Sequence, residues 1–332
     1  MSVQASLVDL RARLDAVVPA IAAVDVACLT AVHHELRGGF AVTGIGASRV
    51  AARLLASTLG DLGVEARFVP LSAFAEATVV ARPGEALCVF SQGLSPNARL
   101  ALRKAAEFRQ CHLFTSLPEG ADSLASFRAA GGHVLTLPPA HESRSLLRVV
   151  GPSVAMLAAT LFAYAVAARP LRESIGDLLT GLEASRRAAR EAVDGLSDDA
   201  KRAPVAFLVG SSEPSLADGL ALKWIEALGG SEPPTWDNLE IAHGPFQAFH
   251  DEPRLLVALG PRSALHDRLA SMLDPRRHTL LRFVPSVAPP FHRLEIEVCV
   301  NELLFACFAQ RPRDLSSWSS QGKDDALYGL GE

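Results

Sequence analysis

Phe40-Ala41-Val42-Thr43-Gly44-Ile45-Gly46-Ala47-Ser48 is the stretch on which the fold turns. Its first four residues make a short apolar strand, the glycines and small residues a tight turn, and the amphipathic run Val50–Leu62 a helix directly after it. The same grammar recurs downstream. Ala86–Phe90, His112–Phe114 and His133–Leu137 have strand character, and Arg99–Phe108 is a further amphipathic stretch among them. It resumes at Pro204, with strands over Val205–Val209, Arg254–Leu259 and Leu280–Val284 and helices from Pro214 to Leu228, to about Leu273 and over roughly Phe291–Phe308. Strands alternating with helices predict an α/β fold with mostly parallel sheets.

Outward from these runs the chain divides into five stretches. Residues 1–39 read as helices, with Leu7, Leu10, Leu14 and Val17 at helical spacing and a second periodic stretch over Val24–Leu36. Residues 40–168 form a first α/β domain, 169–203 a charge-rich linker helix, 204–309 a second α/β domain and 310–332 a polar tail. The halves repeat: small-residue turns at Gly44 and Ser91 lie 47 residues apart, and those at Gly210 and Gly260 lie 50 apart. Two copies of one α/β unit joined by a long helix is the simplest architecture, although βα turns favour small residues in any case.

Length and composition agree. The 332 residues are about twice a ~150-residue domain. Hydrophobic residues make up 49% and charged ones 20%, as in a globular chain with an ample core. A net charge of −4, with the 32 basic residues scattered, argues against nucleic acid as a partner. No apolar run suits a membrane span, and no signal peptide is visible at the N-terminus. Cys28, Cys88, Cys111, Cys299 and Cys307 are an odd number without CxxC spacing, which reads as reduced, buried thiols in a cytoplasmic protein. No metal site is expected.

Two turns carry chemistry in the first half. Gly44–Ser48 opens a helix whose unpaired N–H groups favour an anion, with the Gly46 backbone and the Ser48 hydroxyl beside it. A dinucleotide fingerprint would need a third glycine where Val50 stands, so no nucleotide cofactor is expected. The loop Ser91-Gln92-Gly93-Leu94-Ser95-Pro96-Asn97 offers hydroxyls, an amide and N–H groups at another helix start. The same residues also suit plain βα turns capped by serine. In the second half, Lys223 and Glu226 stand three apart on one helix, an order unfavourable to the helix dipole and so a weak surface pair at best. His243 precedes the turn Gly244-Pro245, where its ring can project.

Together these pieces resemble the sugar isomerase (SIS) domain family over about residues 25–310, above all the isomerase half of glutamine–fructose-6-phosphate aminotransferase and its isomerase-only and deglycase relatives. Ala221-Leu222-Lys223-Trp224-Ile225-Glu226 is similar to the family's A-L-K-x-K-E helix, and Glu240-Ile241-Ala242-His243-Gly244-Pro245 to its E-x-x-H-G-P turn. Gly44–Ser48 is similar to the phosphate turn C-G-T-S, and Ser91-Gln92 matches the opening of the S-Q-S-G-x-T loop. The resemblance implies two tandem SIS-type three-layer α/β/α subdomains. It also implies Glu226 as the base between sugar C1 and C2, His243 as the ring-opening group completing a partner subunit's site, and Lys223 as a substrate-positioning residue. Ser48, Ser91, Gln92, Ser95 and Gly46 would hold the substrate phosphate, and a homodimer is expected.

Departures from the pattern matter. Gly93-Leu94 replaces the usual Ser-Gly, and Ser95-Pro96 fits the family's Thr-Pro only with one residue missing. In Pro312-Arg313-Asp314-Leu315-Ser316-Ser317 a serine stands where the aminotransferase has its Schiff-base lysine, and Lys323 comes six residues late. With Met1 followed by Ser2, glutamine-dependent amidotransfer is not expected. The expectation is a phosphosugar or amino-sugar phosphate isomerase or deaminase without a cofactor. A deglycase of an amino-acid–ketose phosphate and a non-catalytic sugar-phosphate-binding protein are the competing readings.

Overall fold

The computed structural model describes residues 2–30, 38–142, 145–210, 214–318 and 320–332. Among the described residues one sheet holds β1 (Phe40–Gly44), β2 (Ala66–Phe68), β3 (Ala86–Phe90), β4 (Gln110–Thr115) and β5 (His133–Thr136) in the order β2-β1-β3-β4-β5. A second holds β6 (Val205–Val209), β7 (Thr235–Asp237), β8 (Arg254–Leu259) and β9 (His278–Phe283) in the order β7-β6-β8-β9. Every pairing is parallel. The longer helices are α1 (Val3–Ala22), α2 (Ser48–Asp61), α3 (Pro96–Arg103), α4 (Val150–Val166), α5 (Ile175–Asp194), α6 (Pro214–Leu228), α7 (Ala264–Met272) and α8 (His292–Gln310).

Every residue of the central strands β1, β3 and β6 is buried because helices cover both faces of a parallel sheet. α4 supplies much of the cover in the first unit. Phe162 meets Phe40 and Phe114 edge-on at 6.0 and 5.2 Å, and burying a side chain of this size is worth about 1.5–3 kcal/mol. Register places the loops: Gly44 pairs with Phe90 and Phe90 with Phe114, so the turns after β1, β3 and β4 start level with one another.

Each sheet anchors its own compact unit, and the units are assembled from separated stretches. The first-sheet unit comprises Pro19–Arg144, Arg148–Ser174 and Ser317–Glu332; the second comprises Met1–Val18, Ser145–Leu147 and Ile175–Ser316. This differs from five consecutive segments. α5, read as a linker, packs along α8, where Arg186 Nε donates to Glu302 at 2.7 Å. The opening turns of α1 join the same unit through Arg11 and Glu302, 2.7 Å apart. The tail returns to the first sheet, where Asn97 Nδ2 donates to the Leu327 carbonyl at 3.1 Å.

Other departures are local. The stretch Arg99–Phe108 is two elements, α3 followed by a 3-10 turn over Ala105–Glu107, because Pro96 at the first helical position starts the helix early. Of Val24–Leu36, Val26–Thr30 is helical, Val24 and Asp25 before it are not, and residues 31–36 lie outside the described residues, as do Ser211 and Ser212 of the turn after β6. All five cysteines are free thiols; Cys28 is only partly covered, and the other four are buried.

Candidate active site

In the first-sheet unit, Gly44 ends β1 where a side chain would not fit: a Cβ there would lie 2.8 Å from the Ser48 carbonyl oxygen. Gly46 takes a positive φ of 57°, which lets the chain reverse into α2. Ser48 thereby arrives at the start of α2 beside the loop after β3. There Ser91 is buried, and its Oγ accepts the Ser95 backbone N–H at 3.2 Å, leaving its own proton to donate. Ser95 stands before Pro96 as the residue capping α3.

Ser48, Ser91 and Gln92 line one small hollow together with Ser116, Gly151 and Pro152. Ser95 and Gly46 lie outside its lining. Ser116 follows β4, and its hydroxyl oxygen is buried without a hydrogen-bond partner, so a third hydroxyl faces the hollow. Gln92 fills the space: a Cβ on Gly151 would sit 2.0 Å from its Nε2. The free volume that remains is about 10 Å³, room for about one water. Among the described residues no charged side chain lines the hollow. Glu142 lies behind it, accepting Gln92 Nε2 at 3.4 Å and the backbone N–H groups of Val149, Val150 and Gly151 at 2.7, 3.0 and 3.0 Å. A carboxylate therefore already occupies the positive start of α4.

In the second-sheet unit, α6 carries Lys223 and Glu226. Lys223 is 3% exposed, and its ammonium is held by the Glu297 carboxylate and by Asn301 Oδ1 at 2.8 Å, both from α8. The partners of Lys223 thus lie on α8 and not on its own helix. Trp224, between them in sequence, packs edge-on against Phe207 of β6 at 5.2 Å. α6 is thus pinned on two sides, and its rotation about its own axis is fixed. Glu226 is half-buried, with Oε2 shut off from solvent. Its carbonyl oxygen accepts Arg313 Nη2 at 3.1 Å. Burial holds the Arg313 guanidinium below its ordinary pKa. The segment compared above for a missing lysine therefore reaches the end of α6 through Arg313.

His243 ends a 3-10 turn over Glu240–Ala242 and is exposed, and Gly244 after it has a φ of 119°. Lys323 is exposed in the tail of the first-sheet unit. Ser116, Glu142 and Arg313 are the residues that sequence reasoning missed. Ser116 carries the same signal as Ser91, a hydroxyl directly after an apolar strand; Glu142 and Arg313 carry none. Among the described residues no cluster of His, Cys, Asp and Glu has the form of a metal site, and no helix is long and apolar enough to cross a membrane.

The architecture, two parallel sheets with covering helices, is that of phosphosugar isomerases and other SIS-domain proteins of known structure. The C-terminal domain of glucosamine-fructose-6-phosphate aminotransferase from Francisella tularensis matches with a TM-score of 0.70 at 15% identity, over 93% of this chain and 96% of that one. Glucosamine-6-phosphate deaminase from Thermotoga maritima matches at 0.72 and 15%, over 92% and 93%. Tagatose-6-phosphate ketose/aldose isomerase from Escherichia coli matches at 0.68 and 17%, over 93% and 96%. At these identities the likeness is one of fold. No protein-family model and no curated protein matches the sequence.

Proposed function

We propose that this chain is an enzyme of the phosphosugar isomerase or deaminase kind. It moves a proton between C1 and C2 of a sugar phosphate through an enediol, or through an enaminol when the sugar carries nitrogen. Glu226 is the observation that carries this reading. A carboxylate with one oxygen withdrawn from water, on a helix that cannot rotate, suits a base that must meet one face of a planar intermediate. The fold shared with an isomerase and a deaminase supports it.

In this proposal Glu226 takes the proton from one carbon and returns it to the next. His243, exposed before its glycine turn, assists ring opening, in a homodimer as the resemblance implies. Lys223 acts at one remove: its buried pair with Glu297 sets where α6, and so Glu226, points. Ser48, Ser91 and Gln92 supply neutral hydrogen bonds for a phosphate, with Ser116 added to them and with Ser95 and Gly46 shaping the two loops. Gln92 must swing aside for an anion of that size to enter.

A thermal-shift screen tests the reading. Hexose and amino-sugar 6-phosphates should raise Tm, because a ligand at about 100 times its Kd adds ~2.7 kcal/mol to the native state. The unphosphorylated sugars should not, and Ser91→Ala should abolish the rise. If no sugar phosphate moves Tm, the proposal is wrong.

A further inference from the structure

A second opening lies in the first-sheet unit beside α3, with no lining residue in common with the serine hollow. It runs from Leu94, in the loop after β3, to Gln110 and Cys111 at the start of β4, whereas Ser116 follows the far end of β4. The cleft there has a volume of about 840 Å³, against about 10 Å³ for the serine hollow. Its apolar wall comes from Leu102, Phe108, Cys111 and Phe127. The Phe127 ring rests on bare backbone: a Cβ on Gly132 would lie 2.3 Å from it, so the wall exists only because that position is glycine.

Arg99, Arg103 and Arg109 line the same cleft, and among the described residues no aspartate or glutamate does. Arg103 donates to the carbonyl oxygens of Gly331 and Glu332 at 2.7 Å. Arg99 and Arg109 have exposed side chains with no ion pair or hydrogen bond among the described residues. The Gln110 amide oxygen is buried without a partner, which a native structure seldom leaves unexplained. Burial pushes the Cys111 thiol up to about 12, so no thiolate nucleophile faces the cleft at neutral pH. The lining suits binding and offers no chemistry.

We propose that this cleft is a binding site for a small aromatic anion. The occupant would carry a carboxylate, sulfonate or phosphate for Arg99 and Arg109 and a planar apolar body for Phe108 and Phe127. A volume of this size fits one molecule of two or three rings. The site is separate from the serine hollow and from Glu226, and it stands whether or not the chain is an isomerase.

The test uses the full chain and two fluorescent probes of one shape. 8-Anilinonaphthalene-1-sulfonate has the rings, an anilino N–H and a sulfonate; N-phenyl-1-naphthylamine lacks only the sulfonate. The wild type should bind the sulfonate at one saturable site, at least tenfold more tightly than the neutral probe. Arg99→Gln/Arg109→Gln, at exposed positions that carry no structural contact, should weaken the sulfonate at least tenfold and the neutral probe less than twofold. Ala130→Trp, which fills the cleft from another exposed position, should weaken both. Equal affinity of the wild type for the two probes would overturn the proposal without any variant. So would sulfonate binding unchanged by both sets of substitutions.

Discussion

Lys223→Met separates a residue that holds α6 from one that holds substrate. Its ammonium is 3% exposed and lies between Glu297, 2% exposed, and Asn301. Methionine keeps the length and apolar stem but leaves the Glu297 carboxylate buried without its counter-charge. Removing one partner of a buried ion pair costs about 3–5 kcal/mol, at least about a fifth of the ~5–15 kcal/mol that keeps a typical domain folded. For a unit of this size 1 kcal/mol moves Tm by ~2–4 °C, so a fall of about 6–20 °C is expected by calorimetry. Lys223→Met/Glu297→Leu removes both charges and should recover most of the loss, because an apolar pair replaces an ionic one at little net cost. Turnover should follow the same course, falling in the single variant and partly restored in the double, since Glu226 depends on where α6 points. If Lys223→Met melted within about 2 °C of the wild type, the fall computed from a buried pair would be refuted. If the double variant were stable and inactive, Lys223 would act on substrate directly.

Glu302→Gln should cost ~3–5 kcal/mol, because Arg11, Arg186 and Arg190 all converge on this carboxylate. Burial pushes its pKa up, but the hydrogen bonds from Arg190, Arg11 and Arg186 outweigh that and hold it below the ordinary value. Its contribution is therefore complete above the unfolded value near ~4.3 and is lost as pH falls through the lower folded value, so the Tm gap between wild type and variant should close between neutral pH and acid. Glu142→Gln should lower the urea midpoint by the equivalent of ~1–3 kcal/mol, since an amide has one acceptor for the three N–H groups that open α4. Gly151→Ala should leave Tm level or raised, as alanine favours a helix by up to ~1 kcal/mol, while its methyl displaces the Gln92 amide from the hollow and raises KM. A lowered Tm with unchanged KM would show that Gln92 does not help to hold the phosphate.

Much of the fold was legible because central strands of parallel sheets are buried on both faces. β3, β6 and β8 have the bounds read from the sequence, and Arg254 at the start of β8 is the one polar residue among them. β7 escaped, being three half-buried residues after Pro233-Pro234 with no alternation to mark them. Ser48, Ser91 and Gln92 were found by the rule that hydroxyls and amides after a strand face the ligand edge of the sheet, and Ser116 would have been found by applying it once more. For Lys223 spacing alone offers only a weak pair with Glu226; its partner Glu297 is 74 residues away, brought in by the packing of α6 on α8. Glu142 carries no sequence signal for its place under α4. Nothing local says that α4 will begin under its carboxylate.

The central claim is that Glu226 moves the proton. The most direct measurement is exchange of the C1 or C2 hydrogen of a bound sugar phosphate with deuterium from solvent, followed by NMR in the wild type and in Glu226→Gln. Glutamine keeps the shape and the helix contacts, so binding and Tm should stay near wild type. Loss of a positioned base typically costs ~10²–10⁴-fold in rate, and exchange should fall by that much. Exchange at the wild-type rate in a Glu226→Gln variant that binds the same sugar phosphate would contradict the account.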